Sequence, residues 1–305
     1  MQLIRDVERF PPTQLSACAL TIGNFDGVHV GHQAMLARVV EIARAKGHVS
    51  AAMSFWPSPQ EYFGRAAPRI YSIRQKLEAF RAAGIERVYL LRFNEHFAKM
   101  DAETFVSEIL QGHCNAASVL TGEDFRFGRN RAGDIWTLRA LMGEAAQVMP
   151  EVLVGGERVS SSRVRRALSE GDFALASTLL GKPYCISGHI THGDKLGRTL
   201  GFPTANIALR KPPAITGVFA VEVQGVSSKP WPGVASIGVR PTVKLAGKPL
   251  AEVYLFDFQG ELYGKRVDII LKAKLREEEK YESVAEMTAQ IARDVEGAKK
   301  CLKRV

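Results

Sequence analysis

The sequence predicts an α/β fold in which a domain with a mostly parallel sheet precedes a small domain of antiparallel strands. Up to about residue 184, short apolar runs alternate with stretches that repeat apolar residues at helical spacing, which is typical of strands and helices taking turns. Beyond that point, brief β-rich runs are separated by glycine and proline, and one amphipathic segment follows them. A length of 305 residues favours two domains over one.

The first part of the chain reads as repeated strand and helix units. Strands are predicted at ACALTIG, VSAAMSF, RVYLLRF, ASVLTG and QVMPEVLV. Helices are predicted between them at HQAMLARVVEIARAKG, SIRQKLEAFRAAG, DAETFVSEILQG and AGDIWTLRALMG. Gly47 is placed to cap the first helix, because glycine tolerates the left-handed backbone of a helix end. Such alternation predicts a parallel sheet covered by helices on both faces.

The second part begins with two short helices in SSRVRRALSEGDFALASTLLGKPY. Strands are then predicted at CISGHI, GVFAVEVQG, WPGVASIGV, PLAEVYLFDF and KRVDIILKAKL, a pattern that favours a small antiparallel barrel or sandwich. The segment SVAEMTAQIARDVEGAKK is a predicted amphipathic helix in which Ser283 and Glu286 are spaced as a capping box. We place the boundary near Pro183, which gives domains 1–183 and 184–305.

Composition narrows the class of protein. The net charge of +9 suits either nucleic-acid binding or the handling of polyanionic nucleotides, but no long basic run with interleaved aromatic residues occurs. The four cysteines lie far apart without a C-x-x-C pair, which argues against a zinc site or a disulfide scaffold. No signal-peptide pattern occurs, and no apolar run reaches the ~18 residues of a membrane span. We therefore expect a cytoplasmic protein.

The stretch TIGNFDGVHVGHQAML, residues 21–36, ends a predicted strand at a glycine, carries His29 and His32, and opens a predicted helix. In parallel α/β sheets, ligands bind beyond the carboxyl ends of the strands, and the N–H groups of a helix start favour an anion. The two histidines can be surface side chains, metal ligands or phosphate-binding groups. Without an H-E-x-x-H motif or a nearby cysteine, the metal interpretation is weak, and the strand-to-helix context favours phosphate.

The same stretch resembles G-x-F-D-x-x-H-x-G-H, the phosphate-binding signature of the nucleotidyltransferase superfamily. The resemblance implies an ATP site at Gly23, Phe25, Asp26, His29, Gly31 and His32. VSSSRVR, residues 159–165, resembles a second ATP-binding stretch of that superfamily, I-S-S-T-x-I-R, with serine in the threonine place. The residues implied there are Ser161, Ser162, Arg163 and Arg165. Without the resemblance, this stretch reads as serine caps on an amphipathic helix.

A second candidate site lies in GDKLGRTLGFPTANI, residues 193–207. Its backbone N–H groups and basic side chains suit phosphates, at Gly193, Lys195, Gly197 and Arg198. Thr204 and Asn206 add oxygen ligands of the kind that Mg²⁺ prefers. The stretch is not a Walker A loop, since no G-x-x-x-x-G-K-[ST] occurs in the chain.

Glu252 interrupts an otherwise apolar predicted strand, LAEVYLFDF. Strand alternation places its side chain on the face opposite Val253. A carboxylate there can accept a proton from an attacking hydroxyl. From the strand alone, an exposed residue or a salt-bridge partner is an equally good interpretation.

Together, LGRTLGFPTANI, ASIGVRPTV and EVYLFDFQGELYGKRV resemble the riboflavin kinase domain, and their position after the H-x-G-H domain resembles the prokaryotic bifunctional riboflavin kinase/FAD synthetase family. The resemblance covers nearly the full chain. It implies a Rossmann-like nucleotidyltransferase domain followed by a small antiparallel β-barrel domain with a C-terminal helix. It also implies that one ATP phosphorylates riboflavin to FMN, and that a second ATP adenylylates FMN to FAD and pyrophosphate.

The resemblance also implies roles for the candidate residues. Glu252 is the kinase base, and Thr204 and Asn206 hold Mg²⁺ with ATP. His29 and His32 stabilise charge on the triphosphate and move no proton.

Flavin contacts are expected in the charged, aromatic loop TGEDFRFGRNRAGD and in FWPSPQEYF, at Pro57, Asp124, Phe125 and Phe127, with Arg276 on the flavin side of the kinase domain. A simple solvated turn is the alternative for the first of these stretches. Trp56 and Ser58 replace an acidic residue and a histidine that are more usual in the family, and Val243 replaces phenylalanine, so the chain departs from the family pattern at those three positions.

Two rival functions stay open at this point. One is a monofunctional adenylyltransferase whose barrel only senses flavin, and the other is a basic nucleic-acid-binding protein. The preferred interpretation has ATP, riboflavin and FMN as small-molecule partners, with neither nucleic acid nor membrane. It leaves room for a homo-oligomer.

Overall fold

The computed structural model describes residues 1–9, 11, 14–65, 67–192, 197, 200–239 and 249–303. The chain divides into two compact units, one formed by Met1–Ala67 with Ile73–Ser160 and the other by Pro68–Ser72 with Ser161–Val305. The first contains a parallel sheet and the second a closed antiparallel barrel with a C-terminal helix, which confirms the predicted fold class. The domain boundary near residue 183 stays a prediction.

The first unit is built on a sheet whose strands are β1 Gln2–Ile4, β2 Cys18–Ile22, β3 Val49–Phe55, β4 Arg87–Leu91, β5 Ala116–Gly122 and β6 Ala146–Met149. Their order is β1-β4-β3-β2-β5-β6, and all neighbours are parallel. After β2 the chain adds β3 and β4 on one side of that strand, and it then adds β5 and β6 on the other side. The switch point therefore lies between the carboxyl ends of β2 and β5, where open α/β sheets bind ligands.

Helices cover this sheet. They are α1 Val30–Lys46, α2 Pro59–Tyr62, α3 Ile73–Ala82, α4 Glu95–Lys99, α5 Ala102–Thr104, which continues in wider π-type turns over Phe105–His113, and α6 Ile135–Met142. Val106 and Leu138 pack with Leu20 in the larger buried cluster. Leu36 and Val39 of α1 are also fully buried. The apolar periodicity of the sequence thus corresponds to the buried faces of these helices.

Two parts of the first unit differ from the sequence prediction. The predicted strand QVMPEVLV is split, because Pro150 has no amide hydrogen to continue a ladder. β6 ends before it, and β7 Leu153–Val154 instead pairs with β8 Glu157–Arg158 in an antiparallel hairpin. The edge strand β1 was not predicted; its three residues are too few to show a pattern.

The second unit contains α7 Ser161–Glu170, α8 Phe173–Leu180, six strands and α9 Val284–Leu302. The strands are β9 Cys185–Thr191, β10 Thr204–Ala208, β11 Gly217–Gln224, β12 Trp231–Val239, β13 Pro249–Leu255 and β14 Arg266–Arg276. They close into a barrel in the order β10-β13-β12-β11-β14-β9, so the barrel is correct and the sandwich is wrong. Phe173 of α8 packs edge-on against the buried Phe219 ring.

The C-terminal helix α9 packs Val295 and Ala298 against the barrel residues Val218 and Val234. Its buried Asp294 accepts hydrogen bonds from Arg276 Nε at 2.9 Å and from Arg276 Nη2 at 2.7 Å. This bidentate pair raises the pKa of Arg276. A fork-shaped guanidinium meeting a carboxylate in this way fixes orientation as well as distance. The pair therefore sets the position of α9 on β14.

We expect Asp294→Ala to lower the free energy of unfolding of the second unit by about 3 kcal/mol, because it leaves a largely buried guanidinium without its carboxylate. Urea denaturation of Asp294→Ala, Arg276→Met and the double variant measures this. The double variant should lose less than the sum of the single variants. Additive losses would show that the two side chains do not interact.

Candidate active sites

The turn from β2 into α1 has an unusual backbone. Phe25, Gly27 and Val28 have φ angles of 49°, 79° and 41°, so two non-glycine residues lie in the left-handed region. The turn is fixed by Gln33, whose Nε2 donates to the carbonyl of Val28 at 2.8 Å. His29 caps α1 with extended backbone, and the first amide N–H groups of a 17-residue helix follow it. Such a helix start at a sheet switch point suits an anionic ligand.

His29 and His32, the histidine pair, lie face to face at this helix start. Their ring centroids are 3.7 Å apart with an interplanar angle of 15°. The backbone N–H of His32 donates to Nδ1 of His29 at 3.3 Å, which leaves the ring proton of neutral His29 on Nε2. A Cβ at Gly31 would lie 3.2 Å from the same Nδ1, so a side chain at residue 31 would crowd the ring. The prediction that the two imidazoles share one face is confirmed.

Burial keeps both histidines neutral. It lowers the pKa of His29 to about 4, with Arg158 as the next contribution. Burial also lowers the pKa of His32 well below its usual range, followed by the effects of His29 and Lys76. Nδ1 of His32 is out of reach of solvent and has no hydrogen-bond partner among the described residues. At neutral pH the pair can therefore offer N–H dipoles to a phosphate but no formal charge.

The lowered pKa of His29 predicts that the first unit loses stability in acid. In the unfolded chain this imidazole binds a proton near its usual pKa of 6.5, whereas in the folded chain it does so only near about 4. Above pH 6.5 this group therefore leaves the free energy of unfolding unchanged. As the pH falls from 6.5 towards about 4, the free energy of unfolding falls as well. His29 should contribute about 3 kcal/mol of the loss, at ~1.4 kcal/mol per pKa unit. Urea denaturation at neutral and acid pH should show a smaller acid loss for His29→Gln than for the unchanged protein, and equal losses would contradict this prediction.

Two cations near the histidine pair were missed in the sequence. Arg158 of β8 donates to Asp124 at 2.9 Å and to Glu151 at 3.2 Å, and its charge acts on His29. Lys76 of α3 is buried and its charge acts on His32. Nothing in the sequence indicated a role for Arg158, because the two-residue strands of its hairpin are too short to show a pattern. Lys76 had one, since it occupies the apolar side of a predicted amphipathic helix.

The loop after β5 contains three predicted flavin residues. The Phe125 and Phe127 rings are stacked at 5.4 Å, and Phe127 is buried against Phe105. Asp124 forms the ion pair with Arg158. Gly133 exchanges two backbone hydrogen bonds with Phe127, which closes the loop. Phe127 thus supports the loop from within the core, and flavin contact by these three residues stays a prediction.

The loop after β3 contains Pro57 and leads into α2, which Ser58 caps in a reciprocal capping box with Glu61. Around it lies an aromatic cluster in which five ring pairs contact one another edge-on and Phe93 stacks on Phe97: Phe55, Tyr62, Phe63, Phe93 and Phe97. Phe63 is 58% exposed, although most of the large apolar residues that the structure describes are buried. Such a surface suits a flat aromatic ligand. Phe93 and Phe97 follow β4 and were not anticipated.

The second predicted ATP stretch starts α7, in the second unit. Val164 is buried and Ser162 is exposed, so the helix presents its polar side to solvent. The side chain of Arg165 donates to the carbonyl of Pro68 at 2.7 Å. An ATP contact by Ser161, Ser162, Arg163 and Arg165 stays a prediction.

On the barrel, strand register brings three polar side chains together. Glu252 of β13 pairs with Asn206 of β10 on one side and with Ser236 of β12 on the other. We call these three residues the polar row. Burial alternates strictly along β13, which confirms that Glu252 faces away from Val253. Asn206 is buried, and its Oδ1 has no hydrogen-bond partner within the part of the chain that the structure describes.

Thr204 lies two residues before Asn206 on β10, and therefore on the same face. A Cβ at Gly197 would lie 3.3 Å from Oγ1 of Thr204, so these two predicted site residues are close together. Gly193, Lys195 and Arg198, which we also predicted at this ATP site, lie outside the described residues, as does Val243. The polar row was not foreseen as a unit, because β10 was not predicted as a strand.

Glu278 is a further carboxylate at this site that sequence reasoning missed. It accepts a hydrogen bond from Oγ of Ser236 at 3.2 Å and lies against Gly238, where a side chain would collide with it. Partial burial raises the pKa of Glu278, and the nearby Glu252 raises it further. Arg276, in contrast, is bound to Asp294, so its guanidinium holds α9. A flavin contact by Arg276 stays a prediction.

Comparison with known proteins shows the family to which the chain belongs. A family model described as FAD synthetase matches residues 12–163, and one described as riboflavin kinase matches residues 180–302. The bifunctional riboflavin kinase/FMN adenylyltransferase of Escherichia coli K12 is 43% identical over 303 residues, which cover 96% of each chain. The chain belongs to this bifunctional family. The family member from Pseudomonas fluorescens is 41% identical over 98% of this chain and 97% of its own.

Family membership agrees with the resemblance seen in the motifs, and the monofunctional and nucleic-acid-binding interpretations give way to it. The fold has a solved counterpart described as a macrolide-efflux protein from Streptococcus pneumoniae, with a TM-score of 0.76, 27% identity and coverage of 96% of each chain. Among the described helices, none is both long and apolar enough to cross a membrane. The riboflavin kinase/FMN adenylyltransferase family thus accounts for both halves of the chain.

Proposed function

We propose that the two activities of the family are divided between the two sites, with FMN adenylylation at the β2–α1 turn and riboflavin phosphorylation at the polar row. One observation supports this most directly. Each site joins a place for phosphates to a chemically suitable side chain, the neutral histidine pair in one and a glutamate in the other. Nothing in the chemistry requires the two sites to share a residue.

In the kinase reaction, Glu252 accepts the proton of the riboflavin 5′-hydroxyl as that oxygen attacks the γ-phosphorus of ATP. The bond from the γ-phosphorus to the β-phosphate oxygen breaks, and ADP leaves with FMN as the product. Ser236 lies opposite Glu252 in register, and Glu278 accepts the hydrogen bond of Ser236, so a second carboxylate lies next to the proposed base. Phosphoryl transfer otherwise depends on positioning and charge neutralisation.

Mg²⁺ fits the residues beside Glu252. The buried Oδ1 of Asn206, with no partner among the described residues, and the hydroxyl of Thr204 on the same face are hard oxygen donors. When bound with ATP, the ion neutralises phosphate charge. Thr204 and Asn206 orient the triphosphate in this proposal, and Gly197 leaves room beside Thr204.

In the adenylyl transfer, an FMN phosphate oxygen attacks the α-phosphorus of ATP, and the bond to the β-phosphate oxygen breaks to release pyrophosphate. No protein nucleophile is needed. His29 and His32 donate hydrogen bonds from neutral imidazoles, and the N–H groups at the start of α1 add their dipoles. The aromatic cluster after β3 and β4 and the loop of Phe125 supply surfaces for the flavin ring. The cytoplasmic location and the homo-oligomer remain predictions of the sequence.

Time courses with separated products test this proposal. The purified protein is incubated with riboflavin, ATP and Mg²⁺, and FMN and FAD are resolved by chromatography. A parallel reaction starts from FMN. Both products should appear, with FMN preceding FAD. If riboflavin gave no FMN, the kinase assignment would be wrong, and if added FMN gave no FAD, the adenylyltransferase assignment would be wrong.

A further inference from the structure

Lys76 is buried in a place where the sequence pattern calls for an apolar side chain. It lies on the same face of α3 as Ile73 and Phe80, and only 4% of its surface is exposed. Burying an ammonium group is unfavourable unless its hydrogen bonds are satisfied by the protein. A lysine that remains at such a position therefore calls for a specific role.

The contacts of Lys76 join the ends of two neighbouring strands. Its Nζ donates to the carbonyl of Asn24 at 2.5 Å and to Oγ of Ser54 at 3.3 Å. Oγ of Ser54 in turn donates to the same Asn24 carbonyl at 3.3 Å. Asn24 lies just after β2, and Ser54 lies near the end of β3. The three groups form a closed polar triangle directly before the left-handed turn.

One helical turn further along α3, Phe80 braces the same turn. Its ring packs edge-on against Phe25 at 5.2 Å, and Phe25 packs edge-on against His32 at 5.1 Å. Phe25 has a φ angle of 49°, a conformation that is retained only where the surroundings hold it. α3 thus holds the β2–α1 turn with one polar and one aromatic contact, and both lead to the histidine pair.

We propose that Lys76 is a positioning residue for adenylyl transfer, which fixes the turn through the Asn24 carbonyl and places a positive charge behind His32. The inference rests on the proposed placement of the reaction at the histidine pair. Because the imidazoles are neutral, the buried ammonium group of Lys76 adds positive charge at the site from which pyrophosphate leaves. A charge fixed in a water-poor site acts on developing negative charge more strongly than an exposed one. Lys76 contacts Asn24 directly before the turn, and Phe80 of the same helix reaches His32 through the ring of Phe25. In agreement with this geometry, the charge of Lys76 contributes to the lowered pKa of His32.

The test uses the full-length protein with Lys76→Met and Lys76→Gln, and Arg74→Met as a matched control. Arg74 lies on the same helix, exposed and paired with Glu78. Lys76→Met should lower kcat for FAD formation from FMN about 10- to 30-fold while KM for ATP and FMN changes little, because a misplaced catalytic group mainly raises the barrier. FMN formation from riboflavin should stay unchanged. Lys76→Gln keeps a donor for Asn24 without the charge and should lose less.

The pH profile separates this role from a purely structural one. Without the ammonium, His32 binds a proton more readily, so the acid limb of kcat should move to higher pH in both Lys76 variants and stay in place in Arg74→Met. Unchanged kcat and an unmoved acid limb would overturn the proposal, even if stability fell. Lys76→Gln carries the test if Lys76→Met does not fold.

His29→Ala separates the failure of this inference from the failure of the proposed function. If His29→Ala still formed FAD at a normal rate, the reaction would not take place at the histidine pair. If His29→Ala lost FAD formation while both Lys76 variants kept it, only the inference about Lys76 would be overturned.

Discussion

Replacing His29 by alanine should lower FAD formation from FMN about 10²- to 10³-fold, while FMN formation from riboflavin stays near normal. The substitution removes an imidazole that stacks on His32 and accepts its backbone N–H. The substitution therefore removes the hydrogen-bond donor of His29 and also the contacts that hold His32 in place. Since donors of this kind act on charge that develops in the transition state, kcat should fall more than the affinity for ATP.

His96→Ala is the matched control for this experiment, because His96 is a solvent-exposed histidine of the same unit. Both reactions should proceed normally in it. Loss of the kinase reaction in His29→Ala would contradict independent sites. A normal rate of FAD formation in His29→Ala would show that the histidine pair does not take part.

Glu252→Gln should have the opposite effect, with FMN formation lowered about 10²- to 10⁴-fold and FAD formation from added FMN unchanged. Glutamine keeps the size and the hydrogen-bonding capacity of the side chain but cannot take up the proton of the attacking hydroxyl. Its neighbours Asn206 and Ser236 remain in register on either side. The loss should therefore appear in kcat, with KM for riboflavin and ATP changed little.

Glu222→Gln controls for the loss of a glutamate from the barrel. Glu222 lies on β11 and pairs with Lys272 at 3.5 Å, away from the polar row in register. Both reactions should proceed normally in this variant. Wild-type FMN formation by Glu252→Gln would exclude Glu252 as the base.

Much of the second site was accessible from the sequence only in pieces. Glu252 was correctly oriented because strand alternation has a period of two, so its apolar neighbours fix its face. Ser236 and Glu278 were not found, because neither stands out along the chain. They meet Glu252 through the pairing of β12 with β13 and through the return of the segment after β14. Register of this kind depends on contacts between distant segments.

The first site shows the same division. A strand that ends in glycines, followed by two histidines and a helical pattern, was enough to predict a phosphate-binding helix start, and the structure has His29 as the N-cap of α1. The sequence did not show that both imidazoles are neutral, because their pKa values depend on how completely the folded chain excludes water. Nor did it show that Lys76 lies behind them.

By itself, the sequence determined most of the strands and helices, the two-part organisation and the motifs that resemble phosphate-binding signatures, because these depend on local periodicity and spacing. Only the tertiary structure decided which side chains meet at each site: Lys76 with Asn24 and Ser54, and Glu252 with Asn206 and Ser236. The physical reason is that burial, register and the field of a buried charge arise between segments far apart in the chain. No local pattern records them.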